Sequence, residues 1–497
     1  MFSDRVSHFL FLALEIMSAL LLLVMGILVL VVLVVYIVDR SQTQQAIRRN
    51  YPVIGRFRYL FEHLGEFFRQ YFFAMDREEL PFNRAQRSWV YRAAKDLDRT
   101  VAFGSSKDIY RSGSIIFVNT AYPTLDEDMV ETAPLVIGPD CPHPYSAKSI
   151  INISGMSFGA LSKPAVQALS HGAKLAGCWM NTGEGGLSPW HLEGECDLVF
   201  QIGTAKYGVR DAHGNLSDDK LLQVASHANV RMFEIKLSQG AKPGKGGILP
   251  AEKVTEEIAA IRGIPVGKAS VSPNRHPEIR CAADLLAMIE RVRQVTGKPT
   301  GIKTVLGSPD WLDELFSEIQ IKGVESAPDF ITLDSADGGT GAAPMSLIDD
   351  VGMPLRESLP ILVDKLVEYG LRDRIRVICS GKLITPSAVA TAICVGADFV
   401  VSARGFMFSL GCIQALQCNK NTCPTGVTTH DPRLQQGLDP ESKSVRVYNF
   451  HRNLQHEVGV IAHSCGVAEP RQLRRVHARR VMDDGRSISL EDLYKLR

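Results

Sequence analysis

From Ile150 onward, short apolar runs rich in β-branched residues alternate with stretches of helical period, a pattern that predicts repeated strand–helix units and a parallel sheet. Eight runs are predicted as strands: 150–154, 178–182, 198–203, 231–236, 301–306, 329–334, 375–380 and 398–402. Eight strands in about 250 residues fit a closed (β/α)8 TIM barrel of the α/β class better than a doubly wound sheet. The stretch 240–284 is too long for a plain connection and reads as a functional insertion. Upstream the pattern changes. Between Ile16 and Val38 there is no Asp, Glu, Lys or Arg, and such a helix, about 35 Å long, predicts one transmembrane segment. A cleaved signal peptide is the alternative, but the run is too long and no small-residue cleavage pattern follows. Arg40, Arg48, Arg49, Arg56 and Arg58 follow the segment, whereas Arg5 before it is balanced by Asp4. The positive-inside rule therefore places the bulk of the protein in the cytoplasm. Phe57, Leu60, Phe61, Leu64, Phe68, Tyr71 and Phe72 recur at helical spacing beside Arg58, Glu62, Glu66 and Arg69. This predicts an amphipathic helix lying either on the membrane surface or against the barrel. The expected organisation is a membrane anchor over 1–45, a juxtamembrane helix and wrapping segment over 46–148, the barrel over 149–435, and a helical extension over 436–497.

Composition narrows the function. With 497 residues, 45% of them hydrophobic, the chain can bury a large core, which excludes disorder. Fifty-five basic against 54 acidic side chains leave a net charge of +1, so no nucleic-acid partner is expected. Ten cysteines in so long a chain are no secreted disulfide framework and point to a reducing compartment.

In barrels of this kind chemistry sits at the C-terminal ends of the strands. There the chain carries Gly381 after strand seven, Gly405 after strand eight, and the run Gly338, Gly339, Thr340 and Gly341 after strand six. Glycines let backbone N–H groups approach a phosphate without an intervening Cβ, although tight turns alone would also use them. Lys303 is a charge within an apolar strand; it suits the negative edge of a reduced flavin, or pairs with an inward carboxylate such as Asp334. Cys412, Cys418 and Cys423, spaced C-x5-C-x4-C before Pro424, could hold a [3Fe–4S] cluster in a compact loop. A zinc site completed by His430 and free buried thiols are the competing readings.

The segments SGMSFGALS (154–162), NTGEGG (181–186), FEIKLSQGAKPGKGG (233–247), SADGGTGAAP (335–344) and CIQALQCNKNTCPTGVTT (412–429) together resemble the synthase domain of glutamate synthases over about residues 150–435. The resemblance implies FMN on the barrel, a [3Fe–4S] cluster, and reductive amination of 2-oxoglutarate by ammonia to L-glutamate. It further implies that Gln239, Lys242 and Arg262 bind the substrate carboxylates, and that Met156, Gly159 and Glu184 line the pocket. Glu184, Lys242 and Gln239 would be catalytic, with Ser154 and Gln201 joining the flavin contacts. A turn carboxylate is the plain alternative for Glu184, and an exposed helix-end charge for Arg262. The chain departs from the full family pattern in opening Met1-Phe2 rather than on the glutaminase cysteine. Ammonia is thus expected from solution or from a separate glutaminase partner. No G-x-G-x-x-G opens a dinucleotide-binding unit, so electrons are expected from an external donor, a ferredoxin or a membrane donor. Two other readings remain: an FMN and iron–sulfur enzyme of a related amino acid, and a membrane electron-transfer subunit without amination.

Overall fold

The computed structural model describes residues 2–495, which divide into two compact units, Met1–Ala85 and Gln86–Arg497. In the first, a long helix α1 (Phe2–Ser41) is followed by helix α2 (Gly55–Phe68), which one further turn of wider π-type helix, Arg69–Phe73, extends. Over Val6–Ser41, α1 is apolar and long enough to cross a membrane, and its most apolar 18-residue window is not packed inside the protein.

The second unit is built on a closed parallel barrel. Its strands are β1 (Ile151–Ile153), β2 (Met180–Asn181), β3 (Leu198–Ile202), β4 (Val230–Lys236), β5 (Thr300–Val305), β6 (Phe330–Asp334), β7 (Arg376–Ser380) and β8 (Phe399–Ser402). Each falls on one of the eight predicted runs. Nearly every strand residue is buried, because helices cover the outside while side chains fill the interior, and this is why the runs read as continuous apolar stretches. The register places Lys303 beside Thr332 and Val305 beside Asp334.

Residues 80–148 contain a helix, Arg84–Ala94, and a short antiparallel pair, Leu135–Ile137 with Tyr145–Ala147. That pair closes one end of the barrel: Ile137, Tyr145 and Ala147 pack with Trp179, Val199, Met232, Phe330, Ile378, Phe399 and Val401 in one core cluster. Trp179 is its centre, with ring centroids 6.1 Å from Tyr145 and 5.1 Å from Phe399. Beyond the barrel, helix α3 (Pro440–Ser464) starts on Asp439, whose carboxylate accepts from Ser442 N at 2.9 Å, with Pro440 in the first turn. It packs on the helix Lys163–Ala176 so closely that a Cβ on Gly172 would lie 2.4 Å from Val447 Cγ1. The C-terminal segment is not wholly helical as expected. Ala478–Val481 pairs with both Ser487–Ser489 and Ile115–Phe117, stitching the wrapping segment to the end of the chain.

A charged knot pins the base of β6. Asp329 is fully buried and accepts from Arg293 Nε at 3.0 Å and Thr300 N at 2.8 Å, with Arg374 Nη2 2.9 Å from its other oxygen. Replacing Asp329 by Ala leaves two arginines without their shared anion and is expected to cost about 3–5 kcal/mol, read as a lower urea midpoint of the detergent-purified protein. An unchanged midpoint would show that the knot contributes nothing net.

Candidate functional site

An open cavity of about 1330 Å³, its solvent-filled mouth included, lies at the C-terminal ends of the strands, where this fold places its chemistry. Of the residues singled out from the sequence, Ser154, Met156, Glu184, Gln201, Gln239, Lys242, Arg262, Lys303, Gly339, Thr340, Gly341, Gly381 and Cys418 form its wall. Gly159, Gly338, Gly405, Cys412 and Cys423 do not. The sequence reading missed Lys236, Lys253 and Arg404, which do, as does Asp334, named there only as a partner for Lys303.

One end of the cavity is organised around Glu184, on the turn after β2. This side chain occupies a slot between two glycines: a Cβ on Gly203 would lie 2.6 Å from Glu184 Cβ, and one on Gly247 2.3 Å from Oε1. Lys236, the last residue of β4, places Nζ 3.1 Å from Glu184 Oε1 and also donates to Gln239 Oε1. Gln239 in turn donates to Thr340 Oγ1 at 3.1 Å, so it ties the insertion to the glycine run. Burial opposes ionisation of Glu184, but Lys236 and Lys242 outweigh it and hold the carboxyl below its usual value.

Lys242 and Arg262 are only 4% and 5% exposed, and among the described residues neither has a carboxylate within ion-pair distance. Burial, reinforced by the neighbouring Lys236 charge, lowers Lys242 to about 8. Arg262 ends the helix Glu256–Arg262, where an exposed position was one expectation. Instead it is wedged inward, donating from Nη2 to Phe158 O at 3.3 Å and stacking 5.2 Å from the Tyr207 ring centroid. A Cβ on either Gly159 or Gly185 would lie 3.0 Å from Nη2, so Gly159 serves the pocket by making room for this guanidinium. Arg262 Nε is buried without a partner among the described residues, the condition of a donor awaiting an anionic ligand.

Beneath the cavity the barrel holds a polar layer. Glu234 accepts from Asn181 Nδ2 at 2.8 Å, Gln201 Nε2 at 2.7 Å and Thr332 Oγ1 at 2.6 Å. Lys303 Nζ lies 3.3 Å from Asp334 Oδ2. Burial pulls Lys303 down, yet Asp334, Glu234 and Glu184 together hold it above its ordinary value, so it stays an ammonium. At the other end, Gly381 at φ +118° passes so close to Ser335 that a Cβ would lie 2.3 Å from the serine's own. Arg404 covers Gly339, where a Cβ would meet its Nε at 2.8 Å, and donates from Nη2 to Thr340 O. Gly405 answers to a different constraint, since a Cβ there would strike Phe450 of α3 at 2.8 Å.

The cysteine loop borders this end. Arg404 Nη1 lies 3.8 Å from Cys418 Sγ, and Lys253 donates to Cys418 O at 2.7 Å. Burial opposes ionisation of Cys423, but hydrogen bonds from Thr425 and Thr428 outweigh it and lower the thiol; burial raises Cys412. The expected three-thiolate set is not gathered: among the described residues no group of three His, Cys, Asp or Glu side chains converges closely enough to hold a metal ion. The three thiols are nonetheless neighbours, since Cys418 and Cys423 add to the burial that raises Cys412. His430, the candidate fourth zinc ligand, commits Nε2–H to Gly159 O at 2.8 Å. The site therefore offers an end with two buried cations, a hydrogen-bonded polar floor in which Lys303 faces Asp334 and Glu234, and a border that carries the Cys418 thiol.

Residues 113–468 match the family model described as the conserved region in glutamate synthase. The chain is 39% identical to the glutamate synthase large subunit-like protein YerD of Bacillus subtilis, over 96% of this chain and 98% of that one. It is 33% identical to an archaeal-type glutamate synthase [NADPH] of Thermotoga sp., over 65% of this chain, and spans 61% of that relative's length. Among solved structures, an active chimera of (S)-mandelate dehydrogenase overlays with a TM-score of 0.49 at 13% identity, covering 79% of this chain and 99% of that one. On the extent of the family match and its likeness to YerD, the chain belongs to the glutamate synthase family.

Proposed function

We propose that this glutamate synthase-type oxidoreductase converts 2-oxoglutarate, ammonia, two electrons and two protons into L-glutamate and water, with FMN and a cysteine-held iron–sulfur cluster as its cofactors. One observation carries the reading: two buried cations, Lys242 and Arg262, face the cavity without carboxylate partners, the arrangement a dicarboxylate requires. Gln239 completes this grip. Glu184, held ionised beside Lys236, accepts a proton as ammonia adds to the ketone, and Lys236 returns one as water leaves the resulting carbinolamine. FMN, when bound, supplies the hydride that reduces the imine. Backbone groups around Gly339, Thr340, Gly341 and Gly381, with Arg404, would hold its phosphate, while Ser154, Gln201 and Lys303 would face its ring. Cys412, Cys418 and Cys423 lie in one loop bordered by Arg404 and Lys253, and a [3Fe–4S] cluster would require that loop to draw the three sulfurs together; so held, it would supply one-electron transfer from an external ferredoxin or membrane donor. Ammonia would come from solution or a separate glutaminase. Helix α1 would anchor the protein in the membrane with the barrel on the cytoplasmic side, as Arg40, Arg48, Arg49, Arg56 and Arg58 favour.

Anaerobically purified protein, once reduced, is expected to have its flavin reoxidised by 2-oxoglutarate plus ammonium while glutamate accumulates. Cofactors present by visible and EPR spectra but inert toward these substrates would remove the amination step, and a protein without flavin would remove the whole reading. Lys242→Met is expected to weaken 2-oxoglutarate binding roughly 10- to 100-fold, the loss of one charge-assisted contact. Because Lys242 is charged only below its lowered value of about 8, wild-type affinity should fall as pH rises through that value, towards about tenfold per unit. In the Met variant the fall should be absent, and a slope that survives there would assign it to another group. Gly247→Ala drives a methyl into the Glu184 carboxylate and should match Glu184→Gln in lowering kcat by about 10²- to 10⁴-fold, without adding to it in the double variant and with the flavin spectrum retained. Additive losses would place Glu184 outside the proton-transfer step.

A further inference from the structure

Helix α2 and its extension to Phe73 present Phe57, Leu60, Phe61, Phe68, Tyr71 and Phe72 as exposed residues on one side. At 3.6 residues per turn the four on α2, Phe57, Leu60, Phe61 and Phe68, fall within a stripe roughly 100° wide. Arg58, Glu62 and Arg69 lie on another side, Arg58 and Glu62 paired at 3.1 Å. Charges recurring at this spacing prevent the helix from crossing a bilayer, and among the described residues only α1 is long and apolar enough to do so. An aromatic stripe of this size left in water is unfavourable. What covers it follows from how α2 is attached.

The attachment is a built elbow. Asp39, in the last turn of α1, is 1% exposed. Its carboxylate accepts from Arg56 Nε at 2.9 and 3.0 Å, from Arg56 Nη2 at 2.8 Å and from Val53 N at 3.0 Å. Arg40 Nη1 donates to Arg49 O at 3.1 Å, and Arg48 stacks 5.0 Å from the Tyr59 ring centroid. Gly55, the first residue of α2, approaches so closely that a Cβ would lie 2.8 Å from Ile47 O. The start of α2 is therefore held against the end of α1, which, where α1 crosses a membrane, is the point at which that helix leaves the hydrocarbon.

We infer that α2 and its extension lie in the lipid–water interface, with the Phe57–Phe61–Phe68–Phe72 stripe in the acyl boundary and the Asp39–Arg56 clamp fixing its depth. Aromatic rings favour that boundary, and the arginines at the elbow suit an anionic leaflet. The inference rests on α1 crossing the membrane, and the test separates the two.

The full-length protein, carrying Cys281→Ser to remove its exposed thiol, is reconstituted in vesicles of phosphatidylcholine with a minority of phosphatidylglycerol. Single cysteines at Phe61, Phe72, Glu62, Arg69 and Leu28 are nitroxide-labelled. Collision with oxygen and with a water-soluble nickel chelate is then measured by EPR. Labels at Phe61 and Phe72 should show a severalfold higher oxygen-to-nickel ratio than those at Glu62 and Arg69, with the Leu28 label deep in lipid. If Leu28 is in lipid but the four α2 labels are equally open to nickel, the inference fails while the anchor stands. Labels at Phe61 and Phe72 shielded from both reagents would mean that protein covers the stripe, which also overturns it. A Leu28 label open to nickel would remove the anchor and this inference together. Asp39→Asn should collapse the Phe61-to-Glu62 contrast severalfold, and an unchanged contrast would show that the clamp does not set the depth.

Discussion

A lysine ammonium can persist inside a parallel barrel only where carboxylates face it, and the Lys303–Asp334 pair meets that condition for the whole catalytic face. The same Asp334 oxygen accepts Gly240 N at 3.0 Å, so one carboxylate fixes the barrel cation and the first turn of the insertion. From that turn Gln239 and Lys242 are carried to the cavity. Below, the Glu234 hub locks Asn181, Gln201 and Thr332 together. The floor is thus held in one arrangement by satisfied hydrogen bonds rather than by packing alone.

On this floor the cavity separates two kinds of charge. Towards Glu184 and Arg262, cations stand on the insertion and are partly uncompensated. Towards Gly381 and Arg404, glycines bring backbone close and the arginine spans from the glycine run to the cysteine loop. Lys253 performs a related task from the insertion, donating to Ala160 O, Cys418 O and Thr428 O. The insertion and the thiol loop are therefore joined through one buried side chain.

The eight barrel strands were legible because burial on both faces leaves uninterrupted apolar runs with turn residues between them. The three-residue strands at 115–117 and 135–137 were not, since so short a run has no period, and Ile115–Phe117 pairs with a partner more than three hundred residues away. Glu184, Gln239 and Lys242 could be placed in the cavity from motif likeness. Lys236 carried the same signal as Lys303, a lysine in an apolar strand, but was passed over as part of a longer motif. Arg262 reads as a helix end in one dimension; only the glycines at 159 and 185, distant in sequence, turn it inward. Gly405 shows the converse, a glycine after a strand that makes room for Phe450 rather than for a ligand.

The wedging of Arg262 beneath two glycines has a practical side. A buried guanidinium and a buried ammonium whose shared counter-charge, Glu184, is already paired with Lys236 leave an excess of positive charge that attracts small anions from the medium. On the proposed reading, chloride, sulfate or phosphate in a buffer would compete for this end of the cavity, and the apparent affinity for a dicarboxylate would become a property of the salt as much as of the protein.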